Sequence, residues 1–194
     1  MTVIRETALP NLLHRGKVRD NYDIGDGLLR MVATDRISAF DVVLPTGIPH
    51  KGLVLSRMSA FWFRKTAHLI PNHFLGLAGE PAVRGRLKGN PAFATLPPEI
   101  ARQAMVVRRA RRIDIECVVR GYIAGSAWAE YRASGTISGQ PAPRRLIEGS
   151  QLPQPLFTPT TKAETGHDQN MSPQQVNDMV GEAMARELEA KSIA

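Results

Sequence analysis

The chain has 194 residues, of which 43% are hydrophobic and 22% charged, with a formal net charge of +7 and one cysteine, Cys117. A single cysteine excludes an internal disulfide and, together with only five scattered histidines, a zinc site. No window is apolar for long enough to span a bilayer. We expect a cytoplasmic protein, which the single cysteine fits. The positive charge suits anionic partners, either phosphorylated metabolites or nucleic acid.

The amino-terminal half begins with a strand pattern and continues with a helix pattern. Short β-strands are predicted over residues 11–15, 18–24 and 28–34. GDG at 25–27 is typical of a hairpin turn, because glycine and aspartate tolerate positive φ. The spacing of apolar residues over 53–69 predicts a helix. The glycine and proline content of residues 76–98 predicts mostly loop. The helical stripe that we expect to face the core consists of Leu55, Met58, Phe61 and Trp62.

The carboxyl-terminal half is predicted as two β-rich segments that divide near Asp114, a helix opening at Ser126, and an irregular stretch over 134–160. A last helix is predicted from an N-cap at Ser172, with proline and glutamine at the positions of a capping box. The apolar face expected on this helix consists of Val176, Met179, Val180, Ala183, Met184 and Leu188.

GKVR, residues 16–19, places two cations close together. Alternate residues of a strand share a face, so we expect Lys17 and Arg19 side by side with Val18 on the other face. Gly16 lets the backbone approach a ligand closely. Because like charges repel, this arrangement predicts an anion between the two cations.

Three further polar clusters are candidates for ligand binding. ATDRISAFD, residues 33–41, carries Asp35, Arg36, Ser38 and Asp41, and is either a polar site or a turn with a helix cap. In ECVVRGYIAGSAW, residues 116–128, we expect Glu116 and Arg120 on one face before a helix amino terminus that suits phosphate. The alternative is that Ser126 is a simple cap and Arg120 a surface charge. The polar residues of the 157–170 loop are Lys162, Glu164, His167 and Asp168.

Five segments in order, GKVRDNY, ATDRISAFD, IPHKGLVLSRMSAFWF, ECVVRGYIAGSAW and FTPTTKAETGHDQNMS, closely resemble the SAICAR synthetase (phosphoribosylaminoimidazole-succinocarboxamide synthase) family of purine biosynthesis. The resemblance implies an ATP-dependent ligase that converts carboxyaminoimidazole ribonucleotide (CAIR) and L-aspartate to SAICAR, ADP and phosphate through an acyl phosphate. Such chemistry depends on positioning and on neutralising charge, so no protein nucleophile is expected.

The resemblance also implies which residues touch the substrates. Those expected at the ATP phosphates are Gly16, Lys17, Val18 and Arg19. Those expected near the ribonucleotide and aspartate are Asp35, Ser38, Asp41, Arg120 and Ser126, with Ser126 at the 5′-phosphate. Those expected in a second substrate loop, without individual roles, are Lys162, Glu164, His167 and Asp168.

The implied fold is α+β. Residues 1–112 are expected to form an antiparallel-sheet domain that covers ATP like a kinase N-lobe, and residues 113–194 the first part of an ATP-grasp-like substrate domain, with ATP in the cleft between them. The family continues with segments resembling D-T-K-F-E and D-E…S-R, which supply acidic Mg²⁺ ligands, and neither occurs here. We therefore expect the C-terminal third to be missing and the metal ligands to lie outside this chain.

Two other interpretations stay open. A chain without that third could bind nucleotide without catalysing the reaction. A basic RNA-binding protein would need aromatic stacking platforms among its basic residues, and the basic run at 106–114 contains no aromatic residue. We therefore expect small-molecule partners, ATP, CAIR and L-aspartate, with no nucleic acid and no membrane. The oligomeric state does not follow from the sequence.

Overall fold

The three amino-terminal strands are present, with slightly shorter bounds than predicted. The computed structural model describes residues 3–40, 42–94, 96–162 and 168–194, which divide into two units, one ending at Arg111 and one beginning at Arg112. The strands of the first unit are β1 (Leu12–Arg15), β2 (Arg19–Asp23), β3 (Leu28–Ala33), β4 (Ser38–Ala39), β5 (Val42–Val43), β6 (Phe74–Leu77) and β7 (Ala104–Arg108). Its helices are α1 (Lys51–Lys65), α2 (Pro81–Arg86), α3 (Pro91–Ala94) and α4 (Pro98–Ala101).

Five of these strands form one sheet in the order β1-β2-β3-β7-β6, with every neighbouring pair antiparallel. The predicted hairpin turn is confirmed: Gly25, Asp26 and Gly27 all have positive φ, and the Leu28 N–H donates to the Gly25 carbonyl over 2.9 Å. The prediction of loop over 76–98 is wrong in part, because α2 and α3 lie there and pack Val83 and Phe93 into the main apolar cluster.

Helix α1 packs on β3, β6 and β7 through small residues and not through the stripe predicted from its periodicity. Its buried residues are Gly52, Ser56 and Ala60, whereas Phe61 and Trp62 are each 54% exposed and Met58 is 52% exposed. A Cβ added to Gly52 would lie 2.2 Å from the Ala33 carbonyl oxygen. The helix runs too close to β3 for large side chains to fit between them.

The segment before β1 is fastened to the sheet by buried polar contacts. Thr7 donates from its hydroxyl to Asp20 Oδ2 over 2.7 Å, and the Tyr22 hydroxyl donates to the Thr7 carbonyl over 2.7 Å. Three residues before Thr7, the Ile4 N–H donates to Asp35 Oδ2 over 2.9 Å. Asp20 and Tyr22 have no exposed surface, so these contacts are part of the core of the first unit.

Over its described residues, the second unit is built from short two-stranded ladders and three helices. Its strands are β8 (Ile115–Glu116), β9 (Val119–Tyr122), β10 (Thr136–Ile137), β11 (Gln140–Pro141), β12 (Gln151–Phe157) and β13 (Thr160–Thr161). Its helices are α5 (Gly125–Ser134), α6 (Pro173–Val180) and α7 (Glu182–Ile193). The pairs are β9 with β12, β8 with β13, and β10 with β11. The prediction that 134–160 is irregular is therefore wrong where β10, β11 and β12 lie.

The capping box at Ser172 is confirmed, since its side chain accepts from Gln175 N–H and the Gln175 side chain accepts from Ser172 N–H. The single long helix predicted after it is wrong. Gly181, with φ 82° and ψ 153°, ends α6 and precedes α7. Val176 and Ala185 are buried, whereas Met179 and Met184 of the predicted apolar face are 50% and 37% exposed. None of the helices in the described ranges is long and apolar enough to cross a membrane.

Candidate functional site

The GKVR segment forms the turn between β1 and β2. The Gly16 N–H donates to the Arg19 carbonyl over 2.8 Å, and Lys17 and Val18 lie between these two residues. Lys17 is therefore at the tip of a turn and Arg19 begins β2, so the prediction that both lie on one strand face is wrong. Both side chains are exposed. The turn still presents two cations, two residues apart, at one end of the sheet.

The carbonyl groups of the turn accept hydrogen bonds from the segment that follows β3. Arg36 donates from Nη2 to the Gly16 carbonyl over 2.9 Å and from Nε to the Lys17 carbonyl over 3.0 Å. Thr34 donates to the Val18 carbonyl from its N–H over 3.0 Å and from its hydroxyl over 2.9 Å. The resemblance assigned no role to Arg36, whose sequence neighbours Asp35 and Ser38 it did single out.

Lys51, the first residue of α1, is a basic residue that the sequence did not single out. Burial lowers the pKa of Lys51; the charge of Asp35 opposes this shift, and the nearby positive charges of Arg19 and Arg36 add to it. Asp35, Arg19 and Arg36 are thus the charged groups that act on Lys51, and Arg36 is itself paired with Asp20.

The Asp35 carboxylate is engaged by backbone donors. Its Oδ2 accepts from Ile4 N–H and its Oδ1 accepts from Gly52 N–H, each over 2.9 Å, and the residue is 2% exposed. Gly52 is in the first turn of α1, whose N-cap residue His50 makes no side-chain cap bond, so Asp35 serves as the cap. A role for Asp35 in ligand binding stays a prediction.

Two neighbours of Asp35, Ser38 and Asp41, are predicted to lie near the substrates. Ser38 lies half-buried in β4, opposite Val43 in the β4–β5 ladder. Asp41 lies outside the described residues. The role of both residues in substrate binding stays a prediction.

In the second unit, Arg120 and Ser126 meet as the sequence suggested. Arg120, on β9, donates from Nη2 to Ser126 Oγ over 3.1 Å and from Nε to Thr158 Oγ1 over 3.1 Å. Ser126 is the second residue of α5, and the N-cap position belongs to Ala124, so the alternative of a simple serine cap does not apply. An arginine and a hydroxyl beside free N–H groups at a helix amino terminus can bind a phosphate.

Glu116 is separated from Arg120, because the two residues lie on different strands with different partners. Glu116 accepts instead from Lys162 Nζ over 3.2 Å, and Asp168 Oδ2 lies 3.6 Å from the same Nζ. The hydrogen bond to Glu116 raises the pKa of Lys162; burial opposes this shift, and the charges of Glu116 and Asp168 add to it. Lys162 is thus a fixed cation between two carboxylates.

Two members of the predicted loop, Glu164 and His167, lie outside the described residues. Across the ranges that the structure does describe, no group of three or more histidine, cysteine, aspartate or glutamate side chains is placed to hold a metal ion. These residues do not fit a Mg²⁺ site. A cavity of about 410 Å³ lies in the second unit, between β12 and the α6–α7 pair, and none of its lining residues is a predicted site residue.

The comparisons agree on one family. The sequence model of the SAICAR synthetase family matches residues 12–194. A phosphoribosylaminoimidazole-succinocarboxamide synthase of Polaromonas naphthalenivorans is 48% identical over 189 residues, which cover 97% of this chain and 59% of that protein. The SAICAR synthase of Saccharomyces cerevisiae, solved in complex with SAICAR, is 38% identical with a TM-score of 0.86, covering 98% of this chain and 63% of that one.

A type-2 SAICAR synthetase solved in complex with ADP has a TM-score of 0.68 at 21% identity, covering 93% of this chain and 63% of that one, and shares the fold. Fold and sequence together define an α+β protein of the SAICAR synthetase fold. The chain belongs to the SAICAR synthetase family. It spans about 59% of the length of the Polaromonas relative.

Proposed function

We propose that this chain carries the ATP- and ribonucleotide-binding residues of an ATP-dependent ligase that joins L-aspartate to CAIR. The observation that carries this proposal is the contact of Arg120 with Ser126 at the amino terminus of α5, in a chain of the SAICAR synthetase family. The turn at Gly16–Val18 supports it, because a second basic site in the other unit suits a second phosphorylated substrate.

The proposed reaction forms an amide in two steps. The CAIR carboxylate oxygen attacks the γ-phosphorus of ATP, and the bond between that phosphorus and the bridging oxygen of ADP breaks. The aspartate amine then attacks the carbonyl carbon of the acyl phosphate, inorganic phosphate leaves, and the amine loses a proton. All three substrates are anions, so the contribution of the chain is to place them and neutralise their charge.

In this proposal the unit ending at Arg111 covers ATP and the unit beginning at Arg112 binds CAIR. Lys17 and the backbone of its turn hold the ATP phosphates, and Arg120 and Ser126 hold the 5′-phosphate of the ribonucleotide. Lys162 and Asp168 belong to a second loop of the substrate site, in which no individual role is assigned to either residue. Mg²⁺ would accompany ATP with ligands outside the described residues, and the reducing cytoplasm suits the lone cysteine.

A coupled assay for ADP tests the proposal, with each of ATP, CAIR and aspartate omitted in turn, alongside calorimetric titration of ATP and CAIR. We expect both nucleotides to bind and ADP to form only when CAIR and aspartate are both present. Binding without turnover would favour the alternative, a chain that binds nucleotide but does not catalyse. A chain that binds neither nucleotide, or turns over equally without aspartate, is not the proposed ligase.

A further inference from the structure

The carbonyl groups of the Gly16–Val18 turn all point to one segment. Arg36 bonds the Gly16 and Lys17 carbonyls, and Thr34 bonds the Val18 carbonyl. Both residues lie in the segment that directly follows β3, the strand that pairs with β2. The segment after β3 therefore fixes the turn that precedes β2. The three carbonyls are thereby committed to protein donors.

Peptide geometry then decides where the N–H groups of the turn point. The structure contains no cis peptide bond among its described residues, and in a planar trans peptide the N–H lies opposite the C=O. The N–H groups of Lys17, Val18 and Arg19 therefore point away from Arg36 and Thr34. Successive backbone N–H groups on one side of a turn form a concavity that binds anions.

Arg36 is itself rigidly placed. It is 6% exposed, its Nη2 also donates to Asp20 Oδ1 over 2.7 Å, and its Nη1 donates to the Arg5 carbonyl. A guanidinium has five N–H donors, and four of them are used by these partners and the two turn carbonyls. The side chain therefore acts on the turn and has little capacity left for a ligand.

We infer that Arg36 is a positioning residue for phosphate binding: it turns the carbonyls of Gly16 and Lys17 inward and so directs the N–H groups of Lys17 and Val18 to the ATP phosphates. This inference rests on the proposed role of the turn in ATP binding. Arg36 acts without touching the nucleotide. Its loss should therefore change the affinity for ATP and the order of the turn, and leave the ribonucleotide site in the other unit unaffected.

The test replaces Arg36 by lysine, which keeps the charge but cannot reach several partners with a planar fork. The matched control is Arg15→Lys, because Arg15 also approaches Asp20, with its Nε 3.6 Å from Oδ1, and donates to the Thr7 carbonyl but not to the turn. We expect Arg36→Lys to weaken ATP binding about tenfold, the worth of one charge-assisted hydrogen bond. Its affinity for CAIR, and both affinities of Arg15→Lys, should stay within about twofold of the parent chain.

Hydrogen exchange measured without ligand gives a second readout. Arg36→Lys should speed amide exchange in the peptide that spans residues 12–20, and Arg15→Lys should not. If Arg36→Lys does not fold, Thr34→Val removes the hydroxyl bond to the Val18 carbonyl and should weaken ATP binding about threefold. Equal ATP affinity in Arg36→Lys and the parent, unchanged exchange, or equal effects of both arginine variants would overturn the inference. A parent chain that does not bind ATP would instead refute the proposed function.

Discussion

Asn170 donates from Nδ2 to Glu130 Oε2 over 2.7 Å, which joins the 168–170 segment to helix α5. The same carboxylate accepts from the N–H groups of Gly139 and Ser138, over 2.8 and 3.1 Å, and from the Thr136 hydroxyl over 2.9 Å. One side chain thus connects α5, the β10–β11 turn and the residues that follow Asp168. The sequence gives no sign of this role, since a glutamate on a helix is usually solvated.

Glu130→Gln should therefore destabilise the second unit in a pH-dependent way. Partial burial alone would raise the pKa of Glu130, but the hydrogen bonds from Gly139, Thr136, Asn170 and Ser138 together lower it below its ordinary value. A carboxyl group with a lowered pKa in the folded state contributes stability above its unfolded pKa and loses it as the pH falls through the folded pKa. We expect a difference of about 1–3 kcal/mol in the free energy of unfolding at pH 7, which shrinks below about pH 4.

Denaturant unfolding of the parent and Glu130→Gln from pH 7 down to pH 3 measures this difference. Glu148→Gln is the control, because Glu148 is an exposed glutamate of the same unit with no side-chain bond given by the structure. A difference that stays constant over the whole pH range would show that the charge of Glu130 does not matter.

Gly52→Ala should be strongly destabilising although alanine favours helices. The added Cβ would lie 2.2 Å from the Ala33 carbonyl oxygen, which is backbone and cannot swing away. The expected loss is about 2–3 kcal/mol, since overpacking outweighs the helical propensity that alanine gains. The control is Gly85→Ala in α2, where nothing lies within 4 Å of the added Cβ. In thermal melts, the melting temperature of Gly85→Ala should equal or exceed that of the parent. A Gly52→Ala protein with the melting temperature of the parent would contradict the close packing of α1.

Lys17→Ala should weaken ATP binding and leave CAIR binding unchanged. Lys17 is at the exposed tip of the β1–β2 turn, and one charge-assisted contact to a triphosphate is worth about 1.5–3 kcal/mol, or about ten- to a hundredfold in affinity. Lys88→Ala, at another exposed lysine of the same unit, controls for the loss of net positive charge. Calorimetric titration of ATP and CAIR at one salt concentration tests this prediction. An equal loss of ATP affinity in Lys17→Ala and Lys88→Ala would mean that only long-range charge is involved.

Ser126→Ala should show the opposite selectivity. Its hydroxyl accepts from Arg120 at the amino terminus of α5, so its removal loosens the arginine that we propose to bind the 5′-phosphate. We expect CAIR affinity to fall about fivefold to tenfold while ATP affinity is unchanged. Ser134→Ala, at the other end of the same helix, should leave both affinities as they are. A Ser126→Ala protein with normal CAIR affinity would remove the main support for the proposed site.

Local signals in the sequence predicted local structure well. The GDG turn and the capping box at Ser172 depend on residues within four positions of each other, so their chemistry is visible in the chain itself. The contact of Arg120 with Ser126 is similar, because a strand that runs directly into a helix brings the two residues together. The resemblance to the family supplied the fold class, which no local pattern could give.

Features that depend on close approach between distant segments were missed. The periodicity of α1 favoured Phe61 and Trp62 as core, but the short distance to β3 selects Gly52, Ser56 and Ala60 for the buried face. The apolar pattern predicts one long helix that runs through Gly181, because a lone glycine within such a pattern is often tolerated. Arg36 leaves no periodic signal, since its partners are carbonyl groups of a turn some twenty residues earlier.

The contacts made by residues 4–7 have a practical consequence for anyone who shortens this protein. The family match begins at residue 12, which suggests a natural place to cut. A protein trimmed there would lose the Ile4 N–H that bonds Asp35 and the Thr7 donors that bond Asp20, and so would leave two buried carboxylates short of partners at a cost of about 1–3 kcal/mol each. It would also lose the Arg5 carbonyl that helps hold Arg36. The boundary of the family match is thus not the boundary at which the fold begins.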